Sequence, residues 1–358
     1  LAMALVPAMA MNEPLEIEDA APVSPKLLQA ADQVQEVLHC WEPLLAKIPI
    51  CCRLAEAKRG SDAVGSFFSG GVDGSYTFAR HADEISHLVF IRGYDIPHDN
   101  QSVFATAQEE YGEFARRGGK RLAFVDTNRQ QLNRDLLGPL VGKKNGFTSR
   151  HIIACRSQSS GTIMASVGLA LGFPRFYIAT GVTYCDMSPY AGLSPVLDRL
   201  WRTEATEFIH DGMEAHRNEK LAYLFRVPEL MKFLRVCRQG GAYNCGRCSK
   251  CLRTMIPLRL LGLSAPTLPP LRSLRPLRKL WVHGPEELLF YEDNLRLAEQ
   301  KGDRRLARIL RSRILWFHLR QHLKLADRLL FRESGRRAIH GLRGMIPGRA
   351  RPAPEAAQ

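Results

Sequence analysis

The apolar run Val64-Gly65-Ser66-Phe67-Phe68 passes directly into Ser69-Gly70-Gly71-Val72-Asp73-Gly74-Ser75 and then into the amphipathic Tyr76-Thr77-Phe78-Ala79. The order reads as a buried strand, a glycine-rich loop and the start of a helix. A strand that is apolar throughout needs cover on both faces, which points to a parallel sheet with helices on each side. The first N–H groups of a helix have no intrahelical partner and lie at the positive end of its dipole, so the loop predicts a seat for an oxyanion, phosphate above all. Glycine at positions 70, 71 and 74 removes obstructing Cβ atoms and permits positive φ, and Ser69 and Ser75 offer hydroxyl donors. A tight turn without a ligand is the plainer alternative; the flanking strand and helix favour the seat.

No lysine follows these glycines, which excludes G-x-x-x-x-G-K-[ST], and G-x-G-x-x-G is absent as well. Strands and helices alternate from here: strand 64–68, helix 74–83, strand 87–92 ending in Gly93-Tyr94-Asp95, helix 101–117, strand 121–125, an apolar helix near 159–172, and strand 175–180 ending in Gly181. The expected fold is α/β, a three-layer, Rossmann-like parallel-sheet domain. Ligands of such sheets collect at the carboxyl ends of the strands. The expected crevice is therefore lined by Ser69 to Ser75, by Gly93-Tyr94-Asp95 and by Thr180-Gly181.

Ahead of this domain, Ser24-Pro25 predicts an N-cap with proline in the first helical turn, and Leu27, Leu28, Val34, Val37, Leu38, Trp41 and Leu44 carry a helix packed beside the first strand. The apolar start, Leu1 to Met11, has no basic n-region and reads as a helix fragment rather than a signal peptide. Residues 182 to 212 lack a regular pattern and read as one long loop, the kind that is usually functional. Asp186, Asp198, Trp201, His210 and Asp211 in it are candidates for contacting a polar substrate, against the alternative of an ordinary surface connection. On the next helix, Arg217 and Lys220 either meet phosphates or form a solvated face.

Cys237, Cys245, Cys248 and Cys251 follow a C-x7-C-x2-C-x2-C spacing. Two-residue gaps let thiolates curl round one ion, Gly246 supplies the turn, and the upstream cysteine closes a tetrahedron. Four sulfurs suit Zn²⁺, with an iron–sulfur cluster as the alternative. Nine cysteines with no sign of secretion fit a reducing, cytoplasmic setting rather than a disulfide framework. Cys185 is the thiol nearest the expected crevice, and Cys51-Cys52 reads as structural.

The loop resembles the S-G-G-x-D-S loop of the PP-loop ATP pyrophosphatases through Ser69, Gly70, Gly71 and Asp73, with Gly74 where that family usually has serine. Together with the cysteine knuckle, residues 60 to 262 resemble the 7-cyano-7-deazaguanine synthase group of that superfamily, an adenine nucleotide α-hydrolase arrangement. The resemblance implies ATP and Mg²⁺ on the loop (Ser69, Gly70, Gly71, Val72, Asp73, Gly74, Ser75, Gly93, Tyr94, Thr180, Gly181). Ser69 and Asp73 would serve catalysis, with Asp73 holding Mg²⁺ or orienting the loop. It also implies adenylation of a small-molecule carboxylate, or a carbonyl, with loss of pyrophosphate, then attack by ammonia or an amine. Sulfur transfer to tRNA or a small molecule, and a non-catalytic zinc-stapled binding module, are the other readings.

The expected division is 1–60 as an N-terminal segment, 61–262 as the ATP-binding domain, 263–343 as a Pro-rich linker and basic helical extension, and 344–358 as a disordered tail. Residues 301–358 hold 15 Lys+Arg against 4 Asp+Glu, a surplus of 11 that leaves the first 300 residues at +3 of the net +14. The basicity thus belongs to the tail, where helices read from Pro285 to residue 332. Packing on its own domain is favoured there over nucleic acid or an anionic membrane. No stretch reaches the roughly 20 apolar residues of a membrane helix.

Overall fold

The computed structural model of the chain describes residues 1–143, 147–187, 192–237 and 242–330. Contacts divide it into two compact units, Leu1–Pro270 and Leu271–Gln358. The first unit opens with α1 (Ala2–Met11), a short parallel pair of β1 (Leu15–Glu16) and β2 (Ile50–Cys51), and α2 (Pro25–Trp41) between them. Ser24 caps α2 by accepting from the Leu27 N–H at 3.1 Å, with Pro25 in the first turn.

Five strands build the main sheet: β3 (Val64–Phe67), β4 (His87–Arg92), β5 (Arg121–Asp126), β6 (Arg175–Ala179) and β7 (Glu207–Asp211). All pairs are parallel, in the order β5-β4-β3-β6-β7. The intervening helices are α3 (Val72–Arg80), α4 (Gln101–Arg117), α5 (Arg129–Leu132), α6 (Ser149–Ser157) and α7 (Ser159–Leu171). After the sheet come α8 (Arg217–Leu224), α9 (Pro228–Lys232) and α10 (Ser249–Leu260). The strand order runs outward in one direction from β3 and then resumes on its other side at β6. This reversal leaves a crevice beside the carboxyl end of β3.

The consecutive phenylalanines explain why β3 is central. Side chains alternate along a strand, so Phe67 and Phe68 face opposite layers. Phe68 meets Phe78, Tyr111, Phe114 and Phe233. Phe67 stacks on Phe176, which in turn packs on Phe173 and Phe208. Each buried phenylalanine removes enough apolar surface from water to favour folding by roughly 1.5–3 kcal/mol. Phe67 shares its core with buried residues of α1, α2, α6 and α7, including Leu5, Met9, Val34 and Ile163. The first 60 residues therefore do not stand as a separate segment; the apolar start is a core helix of the same unit.

Two further expectations are corrected. The helix after the loop begins at Val72, inside the glycine stretch, rather than at position 74. Within 182–212, Glu207–Asp211 form an edge strand paired to β6, and Tyr184–Asp186 and Asp198–Leu200 form single 3₁₀ turns. Glu-Phe-Ile-His-Asp carries too little alternation to announce a strand, and pairing with β6 supplies what local pattern lacks. Ser188 to Tyr190 of that segment, and the 344–358 tail, lie outside the described residues.

The second unit contains α11 (Arg275–Arg278), α12 (Pro285–Gln300) and α13 (Arg304–Leu330). Helices α12 and α13 pack together, with Leu306, Leu310, Ile314 and Phe317 of α13 buried. Among the described residues no helix is long and apolar enough to cross a membrane.

Candidate functional site

The loop after β3 turns at Gly70, whose φ of +70° is left-handed and whose missing Cβ would overlap the Tyr111 ring. Only glycine fits there. Two bonds hold the turn: the Tyr111 hydroxyl donates to Ser69 O at 2.8 Å, and the Arg235 N–H donates to Gly70 O at 2.9 Å. Gly71 and Gly74 have ordinary φ; only Gly70 of the three needs the left-handed conformation. At Gly71 a Cβ would make ordinary contacts, the nearest Ser69 Oγ at 3.4 Å. At Gly74 a Cβ would make a tight contact with Phe67 O at 3.3 Å.

Gly71 is the N-cap of α3 and supplies no side-chain cap. The first i→i−4 bond runs from Ser75 N–H to Gly71 O at 3.0 Å, so the N–H groups of Val72, Asp73 and Gly74 lie ahead of the helical ladder. Ser69 is half-buried, whereas Ser75 is fully buried with a hydroxyl that has no partner, so of the two only Ser69 is within reach of solvent.

Asp73 is the hub of the charges. Arg217 donates to Asp73 Oδ2, and Lys220 Nζ lies 3.9 Å from Asp73 Oδ1, an ion pair too long for a hydrogen bond. Burial pushes the Asp73 carboxyl up, but the charges of Arg217, Lys220 and Arg253 outweigh it and hold the pKa below the usual carboxylate range. Lys220 is fully buried and donates to Thr180 O at 2.6 Å, which ties α8 to the end of β6. Burial lowers its pKa, with Asp73 opposing. Gly93, at φ +84°, packs so closely on Thr127 O that a Cβ would overlap it, and the Tyr94 hydroxyl donates to Ser160 Oγ at 2.6 Å. Thr180 is buried and Gly181 half-buried, both at the carboxyl end of β6.

Of the remaining candidates, Asp211 acts on Lys220 from the edge of this centre, and the others make their contacts elsewhere. Asp198 Oδ2 meets His210 Nδ1 at 2.8 Å, with the two side chains 2 % and 1 % exposed, and accepts from Ser194 N–H at 3.0 Å. Trp201 beside it is buried too. Burial raises the Asp198 pKa, against the hydrogen bond from His210. Asp211 accepts from Thr77 Oγ1 at 2.7 Å, pairs with His81 Nε2 at 3.0 Å and with Arg80 at 3.4 Å, locking β7 to α3. Asp186 accepts from Thr183 Oγ1 at 2.8 Å, and Cys185 next to it is exposed.

Cys237, Cys245, Cys248 and Cys251 bring their Sγ atoms within 4.8 Å of one another. Cys237–Cys248 and Cys245–Cys251 are 3.8 and 3.9 Å apart. A tetrahedral ion with Zn–S bonds of about 2.3 Å sets its sulfurs about 3.8 Å apart, so the donor set fits one zinc-sized ion. Gly246, at φ +67°, makes the turn between ligands. Hydrogen bonds from the Cys248 and Cys251 thiols hold Cys237 well below the ordinary thiol range, as expected where four sulfurs crowd one point. Among the described residues no other group of three or more His, Cys, Asp or Glu could hold a metal ion.

The knuckle also places two arginines that sequence reading passed over. Arg235, 5 % exposed, grips Gly70 O through its N–H and Asp95 O through Nη2 at 3.2 Å. Arg253 on α10 contributes charge to Asp73. Their only signal in sequence is that each lies two residues from a cysteine of the knuckle. Comparison of the chain with protein-family models, with curated proteins and with solved structures finds no match.

Proposed function

We propose that the first unit is an ATP-dependent enzyme that adenylates a carboxylate or carbonyl substrate and passes the activated group to ammonia or an amine. The observation that carries this reading is the uncapped start of α3, at the carboxyl end of the central strand, with Arg217, Lys220 and Arg253 acting on Asp73 beside it. Cationic side chains next to an uncapped helix start suit a polyphosphate. The resemblance to PP-loop ATP pyrophosphatases, and to the 7-cyano-7-deazaguanine synthase group among them, supports the same reading, as does the Rossmann-like strand order.

In this mechanism the N–H groups of Val72, Asp73 and Gly74 take the pyrophosphate end of ATP, and Ser69 adds a hydroxyl. A substrate oxygen attacks the α-phosphorus, the bond to the bridging β-phosphate oxygen breaks, and pyrophosphate leaves. The amine then attacks the acyl carbon and AMP departs. Arg217 and Lys220 offset charge that develops on the leaving pyrophosphate, and Asp73 fixes their positions. Asp73 is already engaged by Arg217 and Lys220, so it does not fit the role of a dedicated Mg²⁺ ligand, and no step is assigned to that ion. The four cysteines would hold Zn²⁺ as a structural staple that keeps Arg235 and Arg253 on the loop.

Pyrophosphate release from ATP, assayed across a panel of carboxylates with ammonia present, tests the proposal. Release that depends on one carboxylate supports it; ATP that yields no pyrophosphate with any substrate sinks the enzyme reading. Sulfur transfer is the second reading, favoured by the exposed Cys185. It requires that Cys185→Ala abolish turnover.

A further inference from the structure

Arg129 stands outside this mechanism. It begins α5, just past β5, at the same end of the sheet as the loop. The turn before it is pinned to the end of β4: Thr127 N–H donates to Arg92 O at 2.9 Å, and Thr127 O pairs with His98 Nε2 at 2.9 Å. Arg129 N–H donates to Thr127 Oγ1 at 3.3 Å. The side chain is 1 % exposed, yet among the described residues Nε, Nη1 and Nη2 all lack a hydrogen-bond partner.

A guanidinium does not lose its proton in a protein, so a buried one needs an opposite charge and acceptors for five N–H donors. Among the described residues the one ionisable group acting on it is the thiol of Cys155. That thiol is itself buried and pushed up to about 12, hence neutral, and its Sγ is directed to Val6 O at 3.7 Å. Among the described residues nothing answers this oxyanion-binding fork. The chain that follows is irregular: Asn133–Leu137 form a π turn and Gly138–Leu140 a 3₁₀ turn, with Leu132, Leu136 and Val141 exposed. Helical irregularities of this kind recur at functional sites, although Leu137 in this segment is buried in the core.

We propose that Arg129 anchors a second oxyanion site at the carboxyl end of β5, taking a carboxylate or phosphoryl group of a small molecule in a bidentate grip. The site goes beyond the adenylation reading and does not rest on it; if both hold, the anion is an acidic group of the substrate remote from the nucleotide.

Thermal unfolding of the metal-loaded full chain, in inorganic phosphate and separately in succinate against chloride of equal ionic strength, tests this. The wild type is expected to gain about 5 °C in Tm with anion at roughly 100 times its dissociation constant. A response to phosphate alone identifies a phosphoryl ligand, and one to succinate alone a carboxylate. Arg129→Met, which removes an uncompensated buried charge, should raise Tm without anion and erase the part of the response that Gly71→Trp keeps. Gly71→Trp, which blocks only the loop, should keep it. An equal response in wild type and Arg129→Met, or no response in wild type to either anion, overturns the proposal. Should Arg129→Met fail to fold, Arg129→Lys decides: a loss of at least about tenfold in apparent anion affinity supports the fork, and unchanged affinity refutes it.

Discussion

The Asp73 and Asp198 clusters hang from the same sheet and both contain a buried carboxylate, yet they are built to opposite charge rules. Asp73 faces Arg217, Lys220 and Arg253 together, and Lys220 also feels Asp211 and Glu214. Asp198 is matched one to one by His210, beside Trp201, in the closed core. One carboxylate is set among several cations and the other against a single imidazole in the core. On the proposed reading the first cluster meets the nucleotide and the second holds the sheet together, although all of these residues were equally eligible in the sequence.

The sharpest way to break this contrast is to remove the staple. Cys248→Ser, or extraction of the metal by a chelator, should cost the largest share of stability, since structural zinc contributes on the order of 10 kcal/mol in small domains. ATP affinity should fall with it as Arg235 and Arg253 lose their anchor. Elemental analysis with denaturant titration reads both effects. Next, His210→Ala leaves Asp198 buried and unpaired and should cost about 3–5 kcal/mol in a urea titration while the ATP dissociation constant stays put. Arg217→Met should do the reverse, weakening ATP by about 10- to 100-fold through one lost charge-assisted bond, with a smaller change in stability. If His210→Ala weakens ATP as strongly as Arg217→Met does, the division between the clusters is wrong.

Acid titration separates the two carboxylates by sign. The folded pKa of Asp73 lies below its unfolded value. Its contribution is therefore present above about pH 4 and is lost as pH falls through the folded pKa. Asp198 has a raised folded pKa, so its burial costs more as pH rises from about 4 through that value. Asp73→Asn should flatten the acid limb of the stability curve, whereas a limb unchanged in that variant would mean the ion pairs do not form. The smallest effect is expected at Gly74→Ser. The new Cβ would press on Phe67 O, while leaving glycine in a helix gains back some backbone entropy. The net change in stability should stay within about 1 kcal/mol.

Much of this arrangement was legible before any fold was known. Phe67 and Phe68 announced a strand covered on both faces, and the spacing of Cys245, Cys248 and Cys251 announced a knuckle, because both signals are local. β7 escaped because an edge strand of five residues takes its order from β6 rather than from its own pattern. Arg235 and Arg253 escaped for a different reason. Their partners at Gly70 and Asp73 lie more than 150 residues away in sequence, and tertiary packing, including Phe233 on Phe68 and Tyr111, brings them back to the loop. Asp198, Trp201 and His210 looked like recognition residues because polar and aromatic side chains in an unpatterned stretch do not reveal whether they face inward. Arg129 left no local trace at all, since an arginine after a strand is ordinary until its burial and its lack of a partner are seen.

Calorimetric titration of ATP into the metal-loaded chain, wild type against Gly71→Trp, tests the central claim most directly. Position 71 has room for a Cβ, so a side chain there starts without a backbone clash and projects from the first residue of the cradle. One-to-one binding to wild type, lost in a Gly71→Trp protein that keeps its metal and its Tm, is the expected result. Equal binding by both proteins, or none by a folded, metal-loaded wild type, would contradict it.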